Sequence, residues 1–268
     1  MAIDRTLEGA LQKAAASLEL KNNGLKLPKL SSLSVEQLWT KMMAQDDERF
    51  FVIMDLIRKG TAIKDIHEAT KIDYFFLSVF EQLVQVEKLV NRNNLQSVSK
   101  DELKLMKEIG FTDAVLASEW NAAEQDVRNV RKQFGIQAAY KMVDTCAAEF
   151  QSETSYFYSS YHGENEQIPS KKRKVLILGS WPIRIGQGIE FDYCSVHSVK
   201  ALEDEGIESI MINNNPETVS TDFATADKLY FEPLTFEHVM NVIEAEQVQD
   251  VIVQFGGQTA INLAESLE

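Results

Sequence analysis

Val175-Leu176-Ile177-Leu178, followed by Gly179-Ser180-Trp181-Pro182-Ile183-Arg184-Ile185-Gly186-Gln187-Gly188 and then by Ile189-Glu190-Phe191-Asp192-Tyr193, decides the fold. An unbroken apolar run reads as a strand buried on both faces. A glycine-bearing loop and a helix start after it give the step at which a parallel α/β sheet places its binding crevice. Outward from this stretch, strands are expected at about 174–179, 208–213, 228–231 and 250–255. Helices at about 190–205 and 236–246 separate them, and a last helix opens near Thr259, after Gly256-Gly257-Gln258. Such alternation predicts a Rossmann-like parallel sheet with right-handed crossovers.

The loop invites a dinucleotide-binding reading, because glycines let the backbone approach a pyrophosphate at a helix N-terminus. Its spacing argues against that reading. Six residues separate Gly179 from Gly186, whereas the fingerprint places its first two glycines one residue apart, and Phe191 stands where the third would be. The second strand ends in Asn213-Asn214-Asn215-Pro216 rather than in the acid that would hold a ribose hydroxyl.

Residues 34–135 carry a helical pattern. Ser34 with Gln37, Ser99 with Glu102, and Asn121 with Glu124 have the spacing of capping boxes. Gly60, Gly110 and Gly135 sit where left-handed C-terminal caps are expected. The longest helix, about Asp73 to Val90, places Phe76, Val79, Phe80, Leu83, Val86 and Val90 on one face, widened by Tyr74, Phe75, Leu77 and Val84. So broad an apolar arc belongs either to the core or, along one edge, to another subunit. Arg128, Arg131 and Lys132 lie opposite Val127, Val130 and Phe134, an ordinary amphipathic arrangement rather than a nucleic-acid recognition helix. Between about 151 and 172 the chain turns polar and reads as a connector, ending in the basic run Lys171-Lys172-Arg173-Lys174.

The formal net charge of -14 over 268 residues disfavours nucleic acid and anionic membrane surfaces as partners. No apolar run is long enough to span a bilayer, and the Met1 end lacks the layout of a signal peptide, so a soluble, cytoplasmic protein is expected. Cys146 and Cys194 form no CxxC pair, and His67, His162, His197 and His238 are scattered, so no metal site is assigned.

Three ordered motifs add specificity: GQGIEFDY at 186–193, NNNPETVSTDFATADKLYFEP at 213–233 and VIVQFGGQT at 251–259. Together they resemble the large subunit of carbamoyl phosphate synthetase, in the domain preceding the ATP-grasp domain of its carbamoyl-phosphate-forming half. DTCAAEF at 144–150 and the aromatic run Tyr156-Phe157-Tyr158-Ser159-Ser160-Tyr161 are similar to that family's junction after its helical oligomerisation domain. MAIDRTLEGALQKAAASLEL at 1–20 is similar to the end of its first ATP-grasp half. One departure is Trp181 beside Pro182, where the family commonly has glycine or a small residue.

The resemblance implies a helical oligomerisation domain at 1–150, a connector at 151–172 and a Rossmann-like pre-ATP-grasp domain at 173–268, an α plus α/β architecture. It implies a ligase that makes carbamoyl phosphate from bicarbonate, glutamine-derived ammonia and two ATP, for pyrimidine or arginine synthesis. ATP and magnesium or manganese belong to ATP-grasp domains, the partners implied are the remainder of the large subunit and a glutaminase small subunit, and self-association is expected. Bounded by the end of one grasp domain and the start of the next, this stretch is expected to bind no cofactor, hold no catalytic residue and be inactive alone. By resemblance, Gly188, Glu190 and Glu217 match positions lining an internal passage that carries carbamate to the second ATP site. The sequence leaves two other readings open, a dinucleotide-binding regulatory module and a purely structural assembly module.

Overall fold

The computed structural model describes residues 1–18, 24–150, 153–179 and 189–268, with residues 189–191 and 256 described by backbone alone. Two compact units emerge, one formed by residues 6–136 and the other by residues 1–5 together with 137–268.

The first unit is helical among the described residues. Its elements are α1 (Leu7–Ala16), α2 (Pro28–Ser31), α3 (Val35–Ala44), α4 (Arg49–Arg58), α5 (Ile63–Thr70), α6 (Tyr74–Arg92), α7 (Lys100–Glu108), α8 (Asp113–Trp120) and α9 (Glu124–Gln133). Capping boxes form at Ser34 with Gln37 and at Ser99 with Glu102, each side chain bonding the other residue's backbone amide. The third expected box does not form. Asn121 instead takes the left-handed conformation that terminates α8, and Ala123 occupies the cap of α9. An asparagine can end one helix or begin the next, and here the short connection requires the former.

Gly60, Gly110 and Gly135 all have positive φ, as their C-terminal positions require. At Gly110 there is a second constraint, since a Cβ would lie 2.9 Å from the Gly9 Cα. The broad arc of α6 is mostly core: Leu77, Val79, Phe80, Leu83, Val84, Val86 and Val90 are buried. Only its first turn breaks this pattern, with Tyr74, Phe75 and Phe76 exposed. Buried ions in this unit are paired. Arg58 holds Glu87 with two bonds of 2.7 Å and Asp55 with one of 2.6 Å, while Asp113 receives Arg131 and Lys107. Burial pulls the Arg58 pKa downward, but Glu87 and Asp55 outweigh it and leave the guanidinium above its ordinary value.

The second unit is a six-stranded sheet: β1 (Ala139–Met142), β2 (Tyr156–Ser160), β3 (Lys174–Leu178), β4 (Glu208–Asn213), β5 (Lys228–Phe231) and β6 (Asp250–Ile252). The strand order is β1-β2-β5-β4-β3-β6, with β1 antiparallel to β2 and the other pairings parallel. Residues 139–142 and 156–160 thus belong to this sheet rather than to a helical domain ending at 150 or to a connector beginning at 151. Backbone pairing supplies the reason, because β2 adds to the outer side of β5 and bonds its otherwise open edge.

Among the described residues three α-helices complete the unit, α10 (Ile189–Asp204), α11 (Phe236–Glu246) and α12 (Gly257–Leu267). Side chains alternate along the strands, so the two faces build separate cores. Ile177, Met211, Leu229 and Phe231 pack with Val199 and Leu202 of α10. Leu176, Leu178, Ile210, Ile212 and Tyr230 pack with Val239 and Val242 of α11 and with Ala260 of α12. The chain steps from β3 through β4 to β5 in one direction and then reverses to reach β6 beside β3. Right-handed crossovers therefore require α10 and α11 on opposite faces, as found.

Candidate functional site

The reversal of strand order lies at β3, whose neighbours are β4 and β6. In an open parallel sheet, the crevice forms beyond the carboxyl ends of such strands. Gly179 closes β3 there. Its amide donates to the Ile212 carbonyl at 2.8 Å, and a Cβ would sit 2.7 Å from Asn213 Nδ2 and 2.8 Å from the Ile212 oxygen. Only glycine fits without displacing β4, which explains the end of the apolar run.

The Asn-rich segment after β4 organises itself through its own side chains. Asn213 Oδ1 accepts from the Asn215 amide at 3.0 Å, and Asn215 Oδ1 accepts from the Glu217 amide at 3.1 Å. Successive Asx turns of this kind fold a polar chain tightly without regular secondary structure. A short 3-10 turn, Val219–Thr221, follows. Two partners from other elements anchor it: Asp192 of α10 accepts the Ser220 amide, and the Tyr156 hydroxyl of β2 donates to the Thr221 carbonyl at 3.2 Å.

Several buried polar atoms at this edge have no hydrogen-bond partner among the described residues. They are Asn213 Nδ2, both amide atoms of Asn214 and Ser220 Oγ. Asn214 is 2% exposed and Ser220 1%, so bulk water does not satisfy them. Nearby, at the end of β5, buried Glu232 accepts the Ser159 amide and faces His238 Nε2 at 3.6 Å.

Of the residues singled out from sequence, Glu217 is exposed on the loop after β4. Glu190 is in the first turn of α10 by its backbone, and its side chain lies outside the described residues. Gly188 lies outside them too, as do Trp181, Arg184 and Gly186. The strands preceding Glu190 and Glu217, β3 and β4, are direct neighbours in parallel register. Sequence reasoning passed over Asp192, Ser220 and Asn214. The repeated Asn and the acid inside the first turn of α10 were the available signals.

Among the described residues no group of three or more His, Cys, Asp or Glu could hold a metal ion, and no helix is long and apolar enough to cross a membrane. What the described residues offer is a set of buried polar side chains at the strand ends, with the Asp192 carboxylate on α10 and the exposed Glu217 on the loop after β4.

Comparison with known proteins covers both units. Residues 171–268 match the family model of the carbamoyl phosphate synthase preATP-grasp domain, and residues 1–135 match that of the carbamoyl-phosphate synthetase large chain, oligomerisation domain. The chain is 61% identical over 269 residues to a carbamoyl phosphate synthase arginine-specific large chain from Geobacillus stearothermophilus. It is 56% identical over 270 residues to the protein of that description from Bacillus subtilis (strain 168). In both cases the whole of this chain is covered but 26% of the relative, so the chain spans about a quarter of the length of those proteins.

Proposed function

This chain belongs to the carbamoyl phosphate synthase large-chain family, and from that premise we propose that it works as one segment of a glutamine-dependent carbamoyl phosphate synthase. The remainder of the large chain supplies the ATP-grasp domains, with ATP and magnesium or manganese, and a glutaminase small subunit supplies ammonia. The reaction combines bicarbonate, ammonia and two ATP in a carbon–nitrogen ligation, in the cytoplasm. The names of the relatives favour service to arginine synthesis over pyrimidine synthesis. Within that enzyme, the strand-end crevice forms part of the passage for carbamate, lined by Gly188, Glu190 and Glu217, and this segment alone is catalytically silent.

One observation carries the passage reading: buried amide and hydroxyl groups without hydrogen-bond partners among the described residues at the carboxyl edge of β4, beside the loop that bears Glu217. Leaving such groups unbonded costs stability, so a role toward a polar guest accounts for them better than packing does. Carbamate is anionic and decomposes in water, and a lining of fixed polar groups with little solvent suits its transfer. The test is Gly188→Phe in the full-length enzyme. Carbamoyl phosphate synthesis from bicarbonate should be lost, while bicarbonate-dependent ATP hydrolysis and ATP formation from carbamoyl phosphate and ADP are kept. If all three activities survive, or all three fall together, the passage reading fails.

The helical unit has a second role, self-association, supported by the exposed aromatic first turn of α6. Sedimentation across a concentration range should show an oligomer that Phe75→Ser weakens by about tenfold or more in dissociation constant, the scale of a buried aromatic anchor. A monomer at all concentrations would refute it.

A further inference from the structure

The loop carrying Glu217 has no regular secondary structure between Asn214 and Thr218, yet its far end is tied firmly to α10. The tie is Asp192. Its two carboxylate oxygens share one donor, the Ser220 amide, at 3.3 and 3.2 Å. Asp192 is 5% exposed, and among the described residues its carboxylate faces a single backbone N–H.

For stability alone this is a poor choice. The helix dipole favours an acid in the first turn, but burying a carboxylate carries a desolvation cost, and a buried acceptor for one amide need not be charged. What the arrangement achieves is registration. Asp192 lies two residues beyond Glu190 on α10, and Ser220 three residues beyond Glu217, so the bond fixes the backbone of one acidic segment against the other. Tyr156, donating to Thr221, pins the same turn from β2 and limits any compensating movement.

We propose that Asp192 is a positioning residue for the passage, holding the Glu217 loop in register with the helix start that carries Glu190. The inference rests on the passage reading above. Asp192 itself touches no substrate. Replacement by Ala removes the acceptor, whereas Asn keeps an oxygen of the same reach and drops the charge.

The experiment uses the full-length enzyme with Asp192→Ala, Asp192→Asn and, in parallel, Gly188→Phe. Hydrogen exchange of the peptide spanning 217–221 reports the loop, and the three activities report transfer. Asp192→Ala should speed exchange there and lower carbamoyl phosphate synthesis relative to bicarbonate-dependent ATP hydrolysis by about tenfold, the scale of a lost hydrogen bond to a charged group. Asp192→Asn should restore that ratio to within about threefold, because the acceptor geometry is kept. Unchanged exchange in Asp192→Ala, or a parallel fall in all three activities, would overturn the positioning role. Faster exchange with an unchanged ratio, while Gly188→Phe still uncouples, would overturn it and leave the passage standing. If neither variant uncouples, the passage reading fails and this inference with it.

Discussion

The two edges of the parallel sheet are built from the same strands and are treated oppositely. At the amino edge, Glu246 ends α11 fully buried and accepts Lys228 Nζ at 2.7 and 3.0 Å, the Tyr230 hydroxyl, and an ion pair from Lys174 at 3.6 Å. Lys174 also donates to the Glu246 carbonyl, so charge and hydrogen bonds are satisfied together. At the carboxyl edge, Asn213, Asn214 and Ser220 keep polar atoms buried without partners among the described residues. The difference teaches where this unit secures its stability and where it forgoes some. Polar groups are paired at one edge, and at the opposite edge several are buried without partners among the described residues.

Breaking the paired edge should have the largest effect. Glu246→Ala leaves Lys174 and Lys228 without their carboxylate, and urea denaturation should show a loss of about 3–5 kcal/mol in the α/β unit. A loss below about 1 kcal/mol, the level of a surface ion pair, would mean that the cluster is effectively solvated and that the contrast between the edges is illusory.

That same edge should give the sheet its own alkaline sensitivity. Burial, followed by the neighbouring Glu246 charge and its hydrogen bond, pushes the Tyr230 phenol above its ordinary value of 10.0. A raised folded-state pKa means that the stabilisation is complete below pH 10.0 and declines as pH rises past it, since only the unfolded chain then releases the proton. The decline attributable to this group should be about 1.4 kcal/mol per pH unit. Tyr230→Phe should remove that part of the slope above pH 10.0, and an identical slope in both proteins would refute the assignment.

The smallest expected effect is at the carboxyl edge. Asn214→Leu exchanges an amide with no hydrogen-bond partner among the described residues for an apolar side chain of similar size, so unfolding free energy should change by no more than about 1 kcal/mol. A loss of about 3 kcal/mol would show instead that Asn214 is bonded within the fold, and would erase the distinction between the edges.

Strands β3 through β6 were legible because each is a compact apolar or β-branched run, although β6 stops at Ile252, short of the expected 255, where Gln254–Gly256 turn into a 3-10 helix. β1 and β2 were not, for a physical reason. β2 reads Tyr156-Phe157-Tyr158-Ser159-Ser160, an aromatic-rich segment of high strand preference, but polar stretches flank it, and β5, the partner that joins it to the parallel strands, is some 70 residues away. Local pattern cannot reveal a pairing that depends on the sheet already being present. The same holds at the site. Glu190 and Glu217 are conspicuous beside strand ends, whereas Asp192 looks like one more acid in a helix until its bond to Ser220, 28 residues onward, is known.

The addition of β2 to β5 has a consequence for the company this protein keeps before and after folding. Without β2, the β5 backbone would offer a row of unbonded amides and carbonyls beside Leu229, Tyr230 and Phe231, a template onto which a stray strand from another molecule could zip. The antiparallel β1 then moves the outer boundary of the sheet to Ala139-Tyr140-Lys141-Met142, whose Lys141 is held by Glu166 and whose Tyr140 carbonyl and Met142 amide are engaged by Glu166 as well. A short border whose hydrogen-bonding groups are partly spoken for is a poor seed for cross-molecular β-pairing. The segment that looks like mere connecting chain therefore serves as the sheet's protection against aggregation.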